Sequence, residues 1–204
     1  MGERRELVVD GVTLQVEVTR KRVKNVNARL RGDRLMISAP VHLSARELGE
    51  AVGVLARRLV RRTRARTVNA EDDAAELARR VARRFPEPPK VERVLFVTTQ
   101  TGRWGSYSAA TGTIRLHAGL RALPRWVLEA VVAHELAHVF HADHGPGFRS
   151  LLRAACPDAE KADAFLAGAS FVARRWDRLP PVERALLAGS DDAGSEPSEA
   201  CGKT

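Results

Sequence analysis

The pentapeptide His134-Glu135-Leu136-Ala137-His138 constrains the fold of this 204-residue chain more than any other segment. Residues at positions i and i+4 share one face of an α-helix, so both imidazoles can reach a single metal ion. Zinc accepts imidazole nitrogens at about 2.0–2.1 Å, and the glutamate can address a water in an open coordination position. The segment therefore predicts a helix that carries a Zn²⁺ site suited to metal-assisted hydrolysis.

Apolar residues flank this motif and predict a nearly continuous helix of about 18 residues, entered at Pro124. The flanking residues are Trp126, Val127, Ala130, Val131, Ala133, Val139 and Phe140. A helix of this composition is buried on most sides. Histidine and glutamate within it are costly to desolvate unless they are paired, hydrogen-bonded or bound to metal. A metal site is therefore favoured over a satisfied pair of core histidines.

The usual catalytic zinc site has three protein ligands and a water, so a third ligand is needed. His144 is the best candidate, because it lies just before Gly145-Pro146-Gly147, and that cluster is expected to end the helix and turn the chain. His141 is the competing candidate. It stays near the face of His138, but it lies far along the axis from His134 for a compact site. The geometry favours His144 and leaves His141 as the alternative.

Several sequence features follow one another in order between Gly102 and Phe148. They are Arg103-Trp104-Gly105-Ser106, the predicted strand Thr113-Ile114-Arg115-Leu116, the motif at 134–138, His144 and Phe148. In this combination the segment resembles the YgjP-like metallopeptidases, a zincin family related to SprT-like domains. More weakly, residues from Arg22 to Pro40 resemble the strand pair of that family. The combination is far more specific than the histidine motif alone.

The resemblance implies a set of zinc ligands, His134, His138 and His144, with Glu135 as the general base. It also implies a zincin-like unit that cleaves peptide or protein substrates. The chain departs from the family pattern at two positions. Tyr107 stands where these proteins commonly have cysteine, and Asp143 stands where asparagine often precedes the third histidine. Asp143 is thus a candidate to orient an imidazole from outside the ligand set.

The segment Arg103-Trp104-Gly105-Ser106 has two interpretations. In the first, Gly105 permits a tight turn while Trp104 packs in the core. In the second, the segment lines the cleft, and Arg103 stabilises a developing oxyanion or binds a substrate carboxylate. The second interpretation makes Arg103, Trp104 and Ser106 candidate substrate-binding residues.

Strand and helix patterns together predict an α+β fold. Residues 1–40 alternate like strands, with turns at Asp10-Gly11 and Gly32-Asp33, and predict an antiparallel unit. The capping box Ser44-Ala45-Arg46-Glu47 predicts the start of a long helix that ends near Arg66.

The following residues predict a small sheet beside the motif helix. A second helix is expected from about Glu71 to Phe85, followed by strands from Val91 to Thr98 and from Gly112 to His117. After Gly147, one or two helices are expected to run to about Arg178.

Three regions are predicted on this basis. Residues 1–68 form an amino-terminal β-rich region with an arginine-rich helix, and residues 69–188 form a zincin-like metallopeptidase domain. Residues 189–204 are small and polar, which predicts a disordered tail.

Arginine is concentrated in the two predicted helices, and the net charge is +9. The clustered residues are Arg57, Arg58, Arg61, Arg62, Arg64, Arg66, Arg79, Arg80, Arg83 and Arg84. A solvated helix face is one interpretation, and binding of nucleic acid or another polyanion is the other, since phosphate attraction needs only a positive field. No aromatic residue interrupts the clusters, which argues against base stacking.

The composition also indicates the cellular compartment of the protein. The two cysteines, Cys156 and Cys201, cannot form a disulfide framework or a four-cysteine zinc site. No apolar stretch has the length of a signal peptide or a membrane span. We therefore expect a cytoplasmic protein without a membrane partner.

The sequence as a whole predicts a zinc metallopeptidase in which Glu135 activates a water molecule. One alternative is a metal-dependent hydrolase of another substrate, such as a nucleotide phosphoanhydride held by arginines. The other is a nucleic-acid-associated protein whose metal site is structural or whose proteolysis is gated by DNA or RNA.

Overall fold

The computed structural model describes residues 3–71 and 74–188, and the fold is mixed α+β. Contacts between residues divide the chain into two compact units, with the boundary after Ala159. The predicted three-region division of the sequence stays a prediction, and the tail from 189 to 204 lies outside the described residues.

The first unit begins with a four-stranded sheet of order β1-β2-β4-β3. Its strands are β1 Glu3–Val9, β2 Val12–Lys21, β3 Asn27–Arg31 and β4 Arg34–Pro40. Both predicted hairpins are present, but β2 and β4 pair in parallel, so the prediction of a wholly antiparallel unit was wrong. Val16 lies opposite Leu35, and Val18 opposite Ile37. Alternation determines which face of a strand is buried and not its direction, so it could not distinguish the two pairings.

The long helix α1 spans Ala45–Glu71 and covers one face of this sheet. The predicted capping box forms at its start, where the Ser44 amide donates to Glu47 Oε2 over 3.0 Å and the Glu47 amide donates to Ser44 Oγ over 3.3 Å. The helix continues beyond its predicted end near Arg66, because the following residues contain no glycine or proline and Val68 is buried.

Helix α2, Ala74–Ala82, is shorter than predicted and precedes a second, three-stranded sheet of order β5-β7-β6. The strands are β5 Arg93–Val97, β6 Gly105–Ser108 and β7 Thr113–His117. Strands β5 and β7 were both predicted, and they pair in parallel. Strand β6 was not predicted, because its four residues lack an apolar alternation.

The motif helix α3 spans Arg125–Ala137 and ends earlier than the predicted length of about 18 residues. The chain leaves the helix at His138 through tight backbone bonds, Val139 to Leu136 and Phe140 to Ala137, both 3.1 Å. Apolar residues therefore continue past the helix end. Gly145 caps helix α4, Pro146–Ala155, at its start, so the Gly-Pro-Gly cluster begins a helix and was wrongly expected to end one.

Helix α5, Ala159–Arg175, leads into the second unit, and helix α6, Pro181–Ala188, follows a short 3-10 turn. Helix α5 agrees with the predicted helical region, and α6 extends beyond it. None of the described helices has the length and hydropathy needed to cross a membrane.

Asn69 of α1 links this helix to strand β5 of the second sheet. Its Nδ2 donates to the carbonyl of Phe96 and its Oδ1 accepts from the amide of Phe96, both over 2.8 Å. Asn69→Ala leaves two backbone groups without these partners, so we expect the free energy of unfolding to fall by about 1–3 kcal/mol. Chemical denaturation measures this change. Thr67→Ala, an exposed substitution on the same helix, is the control, and an equal loss in both variants would contradict the role given to Asn69.

Candidate metal centre

Three imidazoles converge where α3 ends and α4 begins. His134 and His138 lie one turn apart at the end of α3, and His144 comes from the loop before α4. One nitrogen of each ring lies within 4.8 Å of the others. Nε2 of His134 and Nε2 of His144 are 3.0 Å apart, close to the separation of about 3.3 Å between two tetrahedral zinc ligands. The donor set therefore fits one metal ion.

Phe148 of α4 forms an apolar base under this cluster. Its ring centroid lies 5.0 Å from that of His134 and 4.7 Å from those of His138 and His144. The side chain is buried. Phe148 was part of the sequence pattern, but its contact with all three imidazoles could not be read from the sequence. It limits the motion of the rings and excludes water from one side of the site.

The loop between α3 and α4 orients His138. Its Nδ1 lies 3.0 Å from the carbonyl oxygen of His141, a contact that leaves Nε2 for a metal ion. The ring of His141 lies against Gly147 and is outside the three-histidine cluster. Asp143 was a candidate to orient an imidazole, but its Oδ1 accepts the amide of Gly145 over 2.9 Å and holds the turn. The backbone carbonyl of His141 therefore orients an imidazole, the role that was expected of the Asp143 carboxylate.

The environment of His134 favours the neutral imidazole. Burial, and then repulsion from His138 and His144, lower the pKa of His134 to about 4. A neutral imidazole is the form that binds a metal ion.

Glu135 points away from the solvent and towards β6. The residue is only 5% exposed, and its carboxylate takes a hydrogen bond from the backbone of Tyr107. Burial raises the pKa of Glu135 to about 7, although this hydrogen bond and the charge of Arg103 both act to lower it. The position where the family commonly has cysteine therefore contributes through its backbone.

The predicted substrate-binding residues occupy three different environments. Arg103 is exposed and acts electrostatically on Glu135. The Trp104 ring packs edge-on against His117 at 5.2 Å, and its carbonyl accepts the amide of His117 over 2.7 Å. Ser106 Oγ accepts from Gln100 Nε2 over 2.7 Å. Trp104 is half-buried and is not among the buried core residues, and substrate binding by these residues stays a prediction. No sequence pattern predicted the contact of Gln100 with Ser106.

The side chain of Glu135 leaves no space for a β-carbon at position 105, so this position requires glycine. A β-carbon added at Gly105 would lie 2.9 Å from the carboxyl carbon of Glu135. We expect Gly105→Ala to displace the carboxylate of Glu135, the predicted general base, and to reduce turnover about tenfold or more, because small displacements of a reacting group are costly. Peptide hydrolysis by the metal-loaded variant measures this. Gly102→Ala, where an added β-carbon meets nothing within 4 Å, is the control. Equal activity in the two variants would contradict the expectation.

The cluster geometry predicts different outcomes for the two candidate third ligands. His144→Ala should strongly weaken metal retention, because losing one of three ligands opens the site to water. His141→Ala should leave metal content nearly unchanged, since the carbonyl that contacts His138 belongs to the backbone. Metal analysis after dialysis distinguishes them. Loss of metal in His141→Ala with retention in His144→Ala would reverse the assignment.

This geometry defines a class of protein in which three histidines can hold a metal ion next to a buried carboxylate. Residues 56–169, more than half of the chain, match a family model described as YgjP-like, metallopeptidase domain. The chain belongs to the YgjP-like family, as its sequence pattern predicted. No curated protein and no solved structure matches the chain significantly.

Proposed function

We propose that this protein is a zinc-dependent peptidase with a zincin-like catalytic unit, in which His134, His138 and His144 hold the ion. The convergence of three imidazoles beside the buried carboxylate of Glu135 carries the proposal. Zinc suits this donor set, because three imidazoles leave one tetrahedral position open for water. Family membership supports a metal-dependent peptidase, and the contacts of β6 and β7 with α3 support the zincin-like arrangement.

The catalytic steps rest on Glu135. A bound zinc ion supplies Lewis acidity, which acidifies water and polarises the scissile carbonyl. Glu135 accepts the proton of the attacking water at its carboxylate and then donates it to the leaving amine. The hydrogen bond from Tyr107 holds the carboxylate in place. Burial keeps bulk water away, so the proton stays within the site.

A peptide substrate is favoured by the strand next to Glu135. Among the described strands, β6 forms one edge of its sheet, because only β7 pairs with it. An extended peptide can add its backbone to such an edge. The backbone of Tyr107 is already bonded to Glu135, which brings this edge next to the general base. A peptide would pair with the other backbone groups of the edge and present its carbonyls to the metal centre.

The nucleotide alternative lacks comparable support. The arginine cluster of α1 lies beside β5. In the three-stranded sheet, β5 and β6 are at opposite edges. Arg103 is the arginine whose charge acts on Glu135. A phosphate held by the α1 cluster would therefore lie away from the general base.

A substrate screen tests the proposed function. Zinc-loaded protein is incubated with a mixed peptide library and, separately, with nucleoside triphosphates. We expect peptide cleavage that stops on chelation and returns when zinc is restored. Hydrolysis of nucleotides with intact peptides would overturn the assignment of substrate class.

A further inference from the structure

A second surface in the first unit is strongly basic. An open groove of about 1520 Å³ runs between α1 and β5. Its lining, taken over the described residues, contains no acidic side chain and six arginines, Arg57, Arg58, Arg61, Arg62, Arg66 and Arg93. We call this surface the arginine groove.

The helix places five of these arginines in two neighbouring rows. Arg58, Arg62 and Arg66 form one row at intervals of four residues, and Arg57 and Arg61 form the other. From Arg58 to Arg66 the row extends over about 12 Å of the helix axis. Like charges at this spacing destabilise a helix, so the row is not explained by the stability of α1.

Most of this charge is not neutralised within the described part of the chain. Arg61 Nε pairs with Asp10 Oδ2 over 2.7 Å. For Arg58, Arg62 and Arg66, the described residues include no ion-pair partner, whereas the charge of Arg57 also acts on Asp10. Elsewhere on α1, Arg46 pairs with Glu50 over 3.1 Å. The arginine groove therefore concentrates charge that is available to an external anion.

The opposite wall of the groove disfavours a peptide that binds by strand addition. β5 is an edge strand, but both backbone groups of Phe96 are bonded to the amide of Asn69. Beyond the end of β5, Thr98 Oγ1 donates to the carbonyl of Arg61 over 2.9 Å and joins this side of the groove to α1. The Phe96 ring is fully buried, so it offers no stacking surface for bases. Recognition in the groove therefore depends on arginine side chains and charge.

We propose that the arginine groove binds nucleic acid through its phosphates without reading the bases. Guanidinium groups bind phosphate through paired hydrogen bonds. One strand of DNA carries a charge about every 3.4 Å, so the 12 Å row matches about three to four phosphates. An acidic peptide seldom sustains such a charge density. The net charge of +9 adds long-range attraction to any polyanion.

Salt-dependent binding of fluorescently labelled DNA tests the proposal. Duplexes of two unrelated sequences are titrated with the full chain between about 50 and 200 mM salt. The groove variant combines Arg58→Gln, Arg62→Gln and Arg66→Gln, with glutamine chosen because it favours helix. The control combines Arg29→Gln, Arg31→Gln and Arg34→Gln, which removes the same charge from exposed strand positions. Thermal unfolding verifies that both variants fold.

For wild-type protein we expect a log–log salt slope of about −3 to −4, equal for both sequences. The groove variant should lose about three units of slope and at least about tenfold in affinity, while the control stays within about twofold. Equal losses in both variants would overturn the proposal, as would undetectable binding at low salt. Displacement of DNA by polyglutamate at equal charge would assign the groove to acidic peptides instead and also overturn it. None of these outcomes depends on the peptidase activity.

Discussion

Replacement of either His134 or His138 by alanine is expected to abolish zinc retention by the purified protein. Each variant removes one of three imidazoles, and an ion left with two protein ligands is held far more weakly. Wild-type protein should carry about one zinc per chain after dialysis, as measured by elemental mass spectrometry.

His42→Ala is the matched control for this experiment. His42 lies in an exposed loop outside the three-histidine cluster, so its removal should leave the zinc content at the wild-type level. Stoichiometric zinc in both His134→Ala and His138→Ala would refute the ligand assignment. Circular dichroism distinguishes lost ligation from lost folding.

Glu135→Gln is expected to reduce peptide turnover a hundredfold or more while the metal is retained. Glutamine has nearly the same shape, and its amide oxygen can still accept the hydrogen bond from Tyr107, but it cannot take up the proton of a water molecule. General acid–base catalysis usually contributes a factor of this size or larger. The measurement is the initial rate of peptide cleavage at equal zinc occupancy.

Glu129→Gln is the matched control on the same helix. Glu129 pairs with Arg80, Arg84 and Arg125 and lies outside the metal centre, so the substitution should affect stability more than turnover. Near-wild-type activity of Glu135→Gln would remove Glu135 from the mechanism, whatever the metal content.

Local sequence patterns predicted the elements of the site well, because they depend on residues close in the chain. The i, i+4 spacing of His134 and His138 requires only a helix, and α3 provides it. The capping box at Ser44 likewise involves neighbouring residues, and it forms as predicted. His144 lies beside both helical histidines, but the chain turns after His138 and not at the Gly-Pro-Gly cluster, which begins α4.

Contacts between distant segments could not be predicted in this way. The parallel pairing of β2 with β4 depends on the path of residues between them, which alternation does not encode. Strand β6 is short and polar, and it forms because β7 is beside it. The contact of Gly105 with Glu135 joins residues thirty positions apart, and the only local signal was the glycine itself.

The central claim is that three imidazoles hold one zinc ion beside Glu135, and X-ray absorption at the zinc edge tests it most directly. For zinc-loaded wild-type protein we expect three imidazole nitrogens at about 2.0–2.1 Å and one further light atom. In His144→Ala, any zinc that remains should show two imidazoles. A wild-type shell with fewer than three imidazoles, or an unchanged shell in His144→Ala, would contradict the account.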